Sequence, residues 1–92
     1  AKRDLSKAAE YLAKAAEIDP KNAAIQAELG FSHLATGDSQ LAIAELGKAA
    51  ALDPDQHRAD VLLVMAHLGR KEYDKALAVL AKGMEKLEKL YG

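Results

Sequence analysis

One sequence pattern recurs three times in this chain, at intervals of 34 residues. The copies start at Arg3, Gly37 and Lys71, and they read RDLSKAAEYLAKAAEIDP, GDSQLAIAELGKAAALDP and KEYDKALAVLAKGMEKLE. A recurrence of this length indicates stacked supersecondary units, none of which can bury its apolar face alone. The chain is therefore expected to fold as an array in which each unit covers its neighbour.

The spacing of apolar residues predicts that these units are helical. In the first copy they recur at steps of three and four residues, which is the signature of one apolar helix face. The same reasoning places helices at residues 5–18, 23–35, 40–52, 57–68 and 73–90. Pro20 and Pro54 end the first and third helices, because proline lacks the N–H that would continue the ladder. Asp4, Asn22 and Asp38 are predicted N-caps.

Five helices with short connections predict an all-α fold, because such helices must lie antiparallel to their neighbours. Gly37 is expected to take the left-handed conformation that closes the second helix. Half of the residues are apolar and only 4% are aromatic, which favours closely packed helices over a sheet. With 92 residues the chain allows a single domain.

The spacing of five residues in and just before the middle copy resembles the tetratricopeptide repeat, a helix-turn-helix unit: Gly30, Gly37, Ala42, Ala49 and Pro54. The resemblance implies an α-solenoid of antiparallel helical hairpins with about two and a half units. The single domain, 1–92, then contains the second half of a repeat, a complete repeat and a repeat with an extended C-terminal helix, over residues 1–22, 23–56 and 57–90 respectively.

The last repeat departs from this pattern at two positions. Val64 stands where the middle repeat has Gly30, so this repeat is expected to pack less ideally. Lys71 stands at the position of Gly37, and Gly69 comes two residues sooner. The turn before the last helix is therefore expected to start early.

Charge and composition exclude several classes of partner. The 13 basic and 14 acidic residues are mixed along the chain, so no nucleic acid partner is expected. No apolar run reaches the roughly 18 residues of a membrane span, so no membrane insertion is expected. The absence of cysteine fits the cytoplasm and the bacterial periplasm alike.

The residues that could support chemistry are few. His33 and His67 lie one repeat apart, and a two-histidine metal site is conceivable, but hydrogen bonding within a packed layer is favoured because no cysteine or ordered carboxylate pair accompanies them. Carboxylates such as Glu10, Glu45 and Glu72 are assigned to solvated faces. No metal, no cofactor and no enzymatic activity are predicted, since phosphate-binding loops and catalytic triads are missing.

The resemblance implies a non-catalytic protein–protein interaction scaffold. In the family, the first helices of the repeats line a concave groove that binds a peptide or partner segment. Carried over to this sequence, the apolar groove consists of Ala24, Ala27, Phe31, Leu34, Arg58, Val61, Met65 and Leu68. Met65 would supply adaptability, and Arg58 would bind a carboxylate. The alternative interpretation is that residues 61–68 form a helix buried on all sides.

A second functional hypothesis is a structural self-assembly module. The first helix lacks its hairpin partner and the last helix is long, so apolar residues at both ends could form a homodimer: Leu5, Leu12, Met84, Leu87, Leu90 and Tyr91. The half repeat fits a fragment excised or engineered from a longer array. The phrases AAIQAELGFSHLATGD and ADVLLVMAHLGRKEYDKAL also look like bacterial tetratricopeptide lipoproteins of the exopolysaccharide export and PEP-CTERM type.

Overall fold

The structure is a computed structural model that describes residues 2–55 and 57–91, apart from the side chains of Lys2, Arg3 and Leu5. Over these residues the chain forms five helices, α1 (Lys2–Ile18), α2 (Ala23–Ala35), α3 (Ser39–Leu52), α4 (His57–Gly69) and α5 (Tyr73–Tyr91), and no strand. Each helix packs on the next one along the chain, and α4 also contacts α2. The predicted all-α solenoid of helical hairpins is confirmed.

The ends of α2 to α5 agree with the predicted ones to within about one residue, which is the usual spread of helix assignments. The side chains of Asn22 and Asp38 accept hydrogen bonds from the backbone N–H groups of Ile25 at 3.2 Å and Leu41 at 3.3 Å, so both predicted N-caps are confirmed. The predicted cap at Asp4 is wrong. Since α1 already begins at Lys2, Asp4 lies in its first turn, where a carboxylate favours the helix dipole.

The turn between α4 and α5 repeats the turn between α2 and α3. Gly37 and Lys71 donate backbone hydrogen bonds to Leu34 at 3.1 Å and Leu68 at 3.0 Å, which are equivalent positions. The expectation of an early turn at Gly69 is therefore wrong, because α4 ends there just as α2 ends one repeat earlier. Gly37 has a φ of 92°, and Lys71 follows it into the left-handed region with a φ of 60°.

Replacing Lys71 with glycine is expected to raise the free energy of unfolding by up to about 1 kcal/mol. A residue with a Cβ is strained in the left-handed conformation, and removing this strain outweighs the extra freedom that glycine gives the unfolded chain. Urea denaturation measures the change. The matched control is Gly37→Ala, which should lower stability by a similar amount, and a Lys71→Gly variant less stable than the parent would contradict the strain.

The core is built where small residues let helices approach. Leu46 of α3 is wholly buried and belongs to one cluster with Ala42, Leu62 and Leu63. Gly30 of α2 makes room for it, since a Cβ at that position would lie 2.6 Å from the Leu46 Cγ. A second, smaller cluster joins three alanines of α2, α3 and α4, namely Ala27, Ala49 and Ala59.

The last hairpin does not repeat this packing. Leu80 is the equivalent of Leu46, but 47% of its surface is exposed, and Val64 carries the side chain that Gly30 lacks. An open apolar cleft of about 200 Å³ lies between α4 and α5. This end cleft is lined by His57, Asp60, Val61 and Val64 of α4 and by Leu80, Gly83, Met84 and Leu87 of α5.

Candidate partner-binding surface

Large apolar side chains of α2 and α4 are exposed on one side of the molecule. Phe31 is 39% exposed, and Val61 and Met65 of α4 are 57% and 53% exposed. Phe31 and Met65 are equivalent positions one repeat apart, so parallel repeats present them in the same direction. We call Phe31, Arg58, Met65 and Leu68, which is also exposed, the α2–α4 face, and Val61 lies at its border because it also lines the end cleft.

Arg58 connects the two helices of this face. Its guanidinium lies over the Phe31 ring, 5.6 Å from the ring centroid, which is within the range of a cation–π contact. The same guanidinium forms an ion pair with Glu28, one turn before Phe31 on α2. About half of the Arg58 side chain remains exposed, so the group is held in place without being enclosed.

The predicted groove residues differ in accessibility. Ala24 is exposed, and Leu34 is half-buried. Ala27 cannot contact a partner, because it is wholly buried against Ala49 and Ala59, and its assignment to the groove is wrong. The alternative of a wholly buried helix over residues 61–68 is also wrong, since α4 buries one side and exposes Val61, Met65 and Leu68.

Each of the two repeat-related histidines hydrogen-bonds to a carboxylate. His33 Nδ1 donates to Glu45 Oε1 at 2.5 Å, and His67 Nδ1 donates to Glu72 Oε1 at 3.0 Å. Glu45 lies on α3, twelve residues beyond its histidine, whereas Glu72 precedes α5. The assignment of these two glutamates to solvated faces is wrong, because their side chains are only 13% and 26% exposed.

Glu72 is the centre of a small charged cluster. The hydrogen bond from His67 lowers the pKa of its carboxyl group more than partial burial raises it, and the charges of Lys75 and Arg70 lower it further. Since the folded pKa is depressed, this carboxylate stabilises the fold above the usual glutamate pKa and loses that effect as pH falls through the lowered value. The cluster therefore stabilises the turn between α4 and α5.

Residues 2–55 and 57–91 lack two further features, a metal site and a membrane-spanning helix. No group of three or more histidine, aspartate or glutamate side chains lies close enough there to hold a metal ion. None of the helices over the same ranges has the length and apolar character needed to cross a bilayer.

The predicted self-association residues lie at the two ends of the array. Met84, Leu90 and Tyr91 are 69%, 64% and 85% exposed, and Leu87 is 44% exposed. Leu12 of α1 is half-buried, and the side chain of Leu5 lies outside the described residues. Self-association through these residues stays a prediction.

Comparison with known families decides what these hairpins are. Two family models, each described as a tetratricopeptide repeat, match residues 33–89 and 1–22, and the first alone covers more than half of the chain. The chain belongs to the tetratricopeptide repeat family. Tetratricopeptide repeats mediate protein–protein interactions and typically act as non-catalytic scaffolds. None of the curated proteins compared with this tetratricopeptide repeat chain matches it, so the weaker likeness to bacterial lipoproteins stays a prediction.

Proposed function

We propose that the chain is a non-catalytic interaction module that binds a peptide segment of a partner protein on the α2–α4 face. The observation that carries this proposal is the exposure of Phe31 and Met65 at equivalent positions of α2 and α4, with the Arg58 guanidinium over the Phe31 ring. Contiguous exposed apolar surface on a small protein commonly marks a contact site. The face offers apolar contact and one ion pair, which suits binding rather than bond-making chemistry.

The chemistry of the face favours a peptide that combines apolar side chains with a carboxylate. Met65 is unbranched and flexible, so it can adjust to different apolar partners. Arg58 has five N–H donors in a planar fork, and its pairing with Glu28 leaves some of them for a second carboxylate. The Phe31 ring lies below the guanidinium, and with the Glu28 ion pair it favours a guanidinium position beside the apolar residues.

The proposal is tested by selecting displayed random peptides on the parent chain and measuring their affinity for surface variants. Phe31→Glu combined with Met65→Glu should weaken the selected peptides at least about tenfold, because both substitutions put a charge into the apolar contact. Arg58→Gln should reduce the affinity mainly of the peptides that contain aspartate or glutamate. Far-ultraviolet circular dichroism should show unchanged helicity in each variant, since the substituted side chains are exposed.

The matched control replaces two exposed leucines of α3, Leu41 and Leu52, with glutamate. These residues are 47% and 40% exposed, so the control adds the same charge at similar exposure but outside the α2–α4 face. It should leave binding unchanged. The proposal fails if the control weakens the peptides as much as the test variant does, or if the peptides bind the test variant as well as the parent.

A further inference from the structure

The end cleft between α4 and α5 corresponds to a surface of the preceding hairpin, formed by α2 and α3, on which α4 packs. Each of the eight residues that line it has an equivalent position 34 residues earlier, and four of these equivalents, Ala27, Leu46, Ala49 and Ala50, belong to core clusters with residues of α4. Ala27 and Ala49, the equivalents of Val61 and Gly83, pack against Ala59 of α4. The equivalent of Leu80 packs in the same way against Leu62 and Leu63. The end cleft therefore has the shape of a packing site for one more helix.

One face of α5 carries a continuous apolar stripe, and no other helix of residues 2–55 and 57–91 covers it. Its residues follow one another at alternating steps of four and three, and each of them is at least 44% exposed: Tyr73, Leu77, Leu80, Met84, Leu87 and Tyr91. This spacing is the 3.5-residue period of helices that pack side by side. We call it the α5 seam. It continues beyond the end of the equivalent stripe on α3, because α3 stops before Pro54.

Lys86 fixes this longer helix against the rest of the array. Its Nζ donates to the backbone oxygen of Pro54 at 2.6 Å and lies 3.4 Å from Asp60 Oδ2 of α4. Asp60 and the side chains around it form the wall of the end cleft opposite the α5 seam. The cleft and the seam thus form one surface, since Leu80, Met84 and Leu87 belong to both.

Acidic residues border the α5 seam on the side away from α4. At 100° per residue, Asp74, Glu85 and Glu88 all fall on this flank, and all three are exposed. The lysines of α5 other than Lys86 fall on the opposite, outer face. The equivalent positions on the α3 side are uncharged, namely Gln40, Ala51 and Pro54. The acidic flank is therefore specific to the helix whose apolar face is open.

This charge pattern selects among possible occupants. Two α5 helices paired antiparallel about the middle of the seam would place Asp74 of each opposite Glu88 of the other, which is unfavourable. A helix with lysine or arginine along one edge of its apolar stripe would instead meet opposite charges. We propose that the end cleft and the α5 seam bind an amphipathic helix of another protein with a basic flank.

Gly83 provides a variant that blocks the cleft without damaging the fold. A Cβ at Gly83 meets no atom within 4 Å, and the residue lines the cleft. Gly83→Leu should fill part of the end cleft and also stabilise α5, because leucine is a far better helix former than glycine. Gly47 of α3 is the matched control, since a Cβ there is equally unobstructed and the residue lies outside the end cleft.

The experiment uses a fluorescent synthetic peptide of about 20 residues, long enough to cover α5. It carries alanine and leucine at the spacing of Ala59, Leu62, Leu63 and Ala66, with lysines along one flank, and a second peptide has glutamates there instead. Anisotropy titration should show the lysine peptide binding at least about tenfold more tightly than the glutamate peptide. Gly83→Leu should weaken the lysine peptide at least about tenfold, whereas Gly47→Leu should not.

Other results would overturn the proposal. Equal affinity of the two peptides would show that the acidic flank does not select the ligand. Unchanged binding of the lysine peptide by Gly83→Leu would show that the ligand does not occupy the cleft. A dimer in sedimentation equilibrium that Met84→Glu dissociates would assign the surface to a second copy of the chain. The Phe31→Glu, Met65→Glu variant must bind the lysine peptide as tightly as the parent does. Loss of binding in this variant would place the peptide on the α2–α4 face. That variant also separates the two proposals from each other.

Discussion

Truncating Leu46 to alanine is expected to lower the free energy of unfolding by about 2 to 5 kcal/mol. The side chain is wholly buried between α2, α3 and α4, and it joins both hairpins of the described array. Its removal abolishes apolar contacts and leaves a cavity. The neighbouring Gly30 has no side chain that could fill this cavity. Urea denaturation followed by far-ultraviolet circular dichroism measures the loss.

The chain contains its own control for this experiment. Leu80 occupies the same position one repeat later, but it is 47% exposed on the end cleft. Leu80→Ala removes the same atoms and should cost no more than about 1 kcal/mol, because little buried contact is lost. Equal losses in the two variants would mean that the end cleft is closed in solution or that Leu46 is not a core residue.

The helix boundaries were predictable where the stereochemistry leaves no choice. Pro20 and Pro54 cannot continue a helix, and Gly37 accepts a positive φ without strain. Asp4 was misassigned because a carboxylate is equally favourable at an N-cap and in a first turn. Local sequence does not distinguish these two positions.

The turn at Lys71 could not be predicted from residue preference. Glycine is the preferred residue in such turns, so the sequence pointed to Gly69. The fold instead keeps the backbone of the preceding repeat, including the hydrogen bond from the Glu72 N–H to His67 at 2.8 Å that reproduces the one from Asp38 to His33. The packing of α4 and α5 thus prevails over the preference of a single residue.

The candidate surfaces were predictable only as far as periodicity extends. Helical spacing placed Phe31 and Met65 on corresponding faces, but it placed Ala27 there too, and only the approach of α3 and α4 shows that Ala27 is covered. The partner of His33 is twelve residues away on another helix, beyond the reach of any local pattern. The heptad stripe of α5 was present in the sequence, and Tyr73 and Leu77 could have been assigned to it from their spacing.

Substituting alanine for Gly30 is expected to lower the free energy of unfolding by about 1 to 3 kcal/mol, even though alanine is the better helix former. The new Cβ would lie 2.6 Å from the Leu46 Cγ and 2.8 Å from its Cδ2, so α2 and α3 must separate or Leu46 must leave its position. Gly47→Ala is the control for helix propensity. Because its Cβ meets no atom within 4 Å, it should stabilise the protein by up to about 1 kcal/mol.

The double variant Gly30→Ala, Leu46→Ala identifies the cause of the loss. If the clash with Leu46 is responsible, shortening that side chain removes it, and the added methyl group partly fills the cavity that Leu46→Ala leaves. The double variant should therefore lose at least about 1 kcal/mol less than the sum of the single losses. The last hairpin contains the opposite combination, with Val64 in place of the glycine and Leu80 largely exposed. Strictly additive losses in urea denaturation would show that Gly30 is required for a reason other than contact with Leu46.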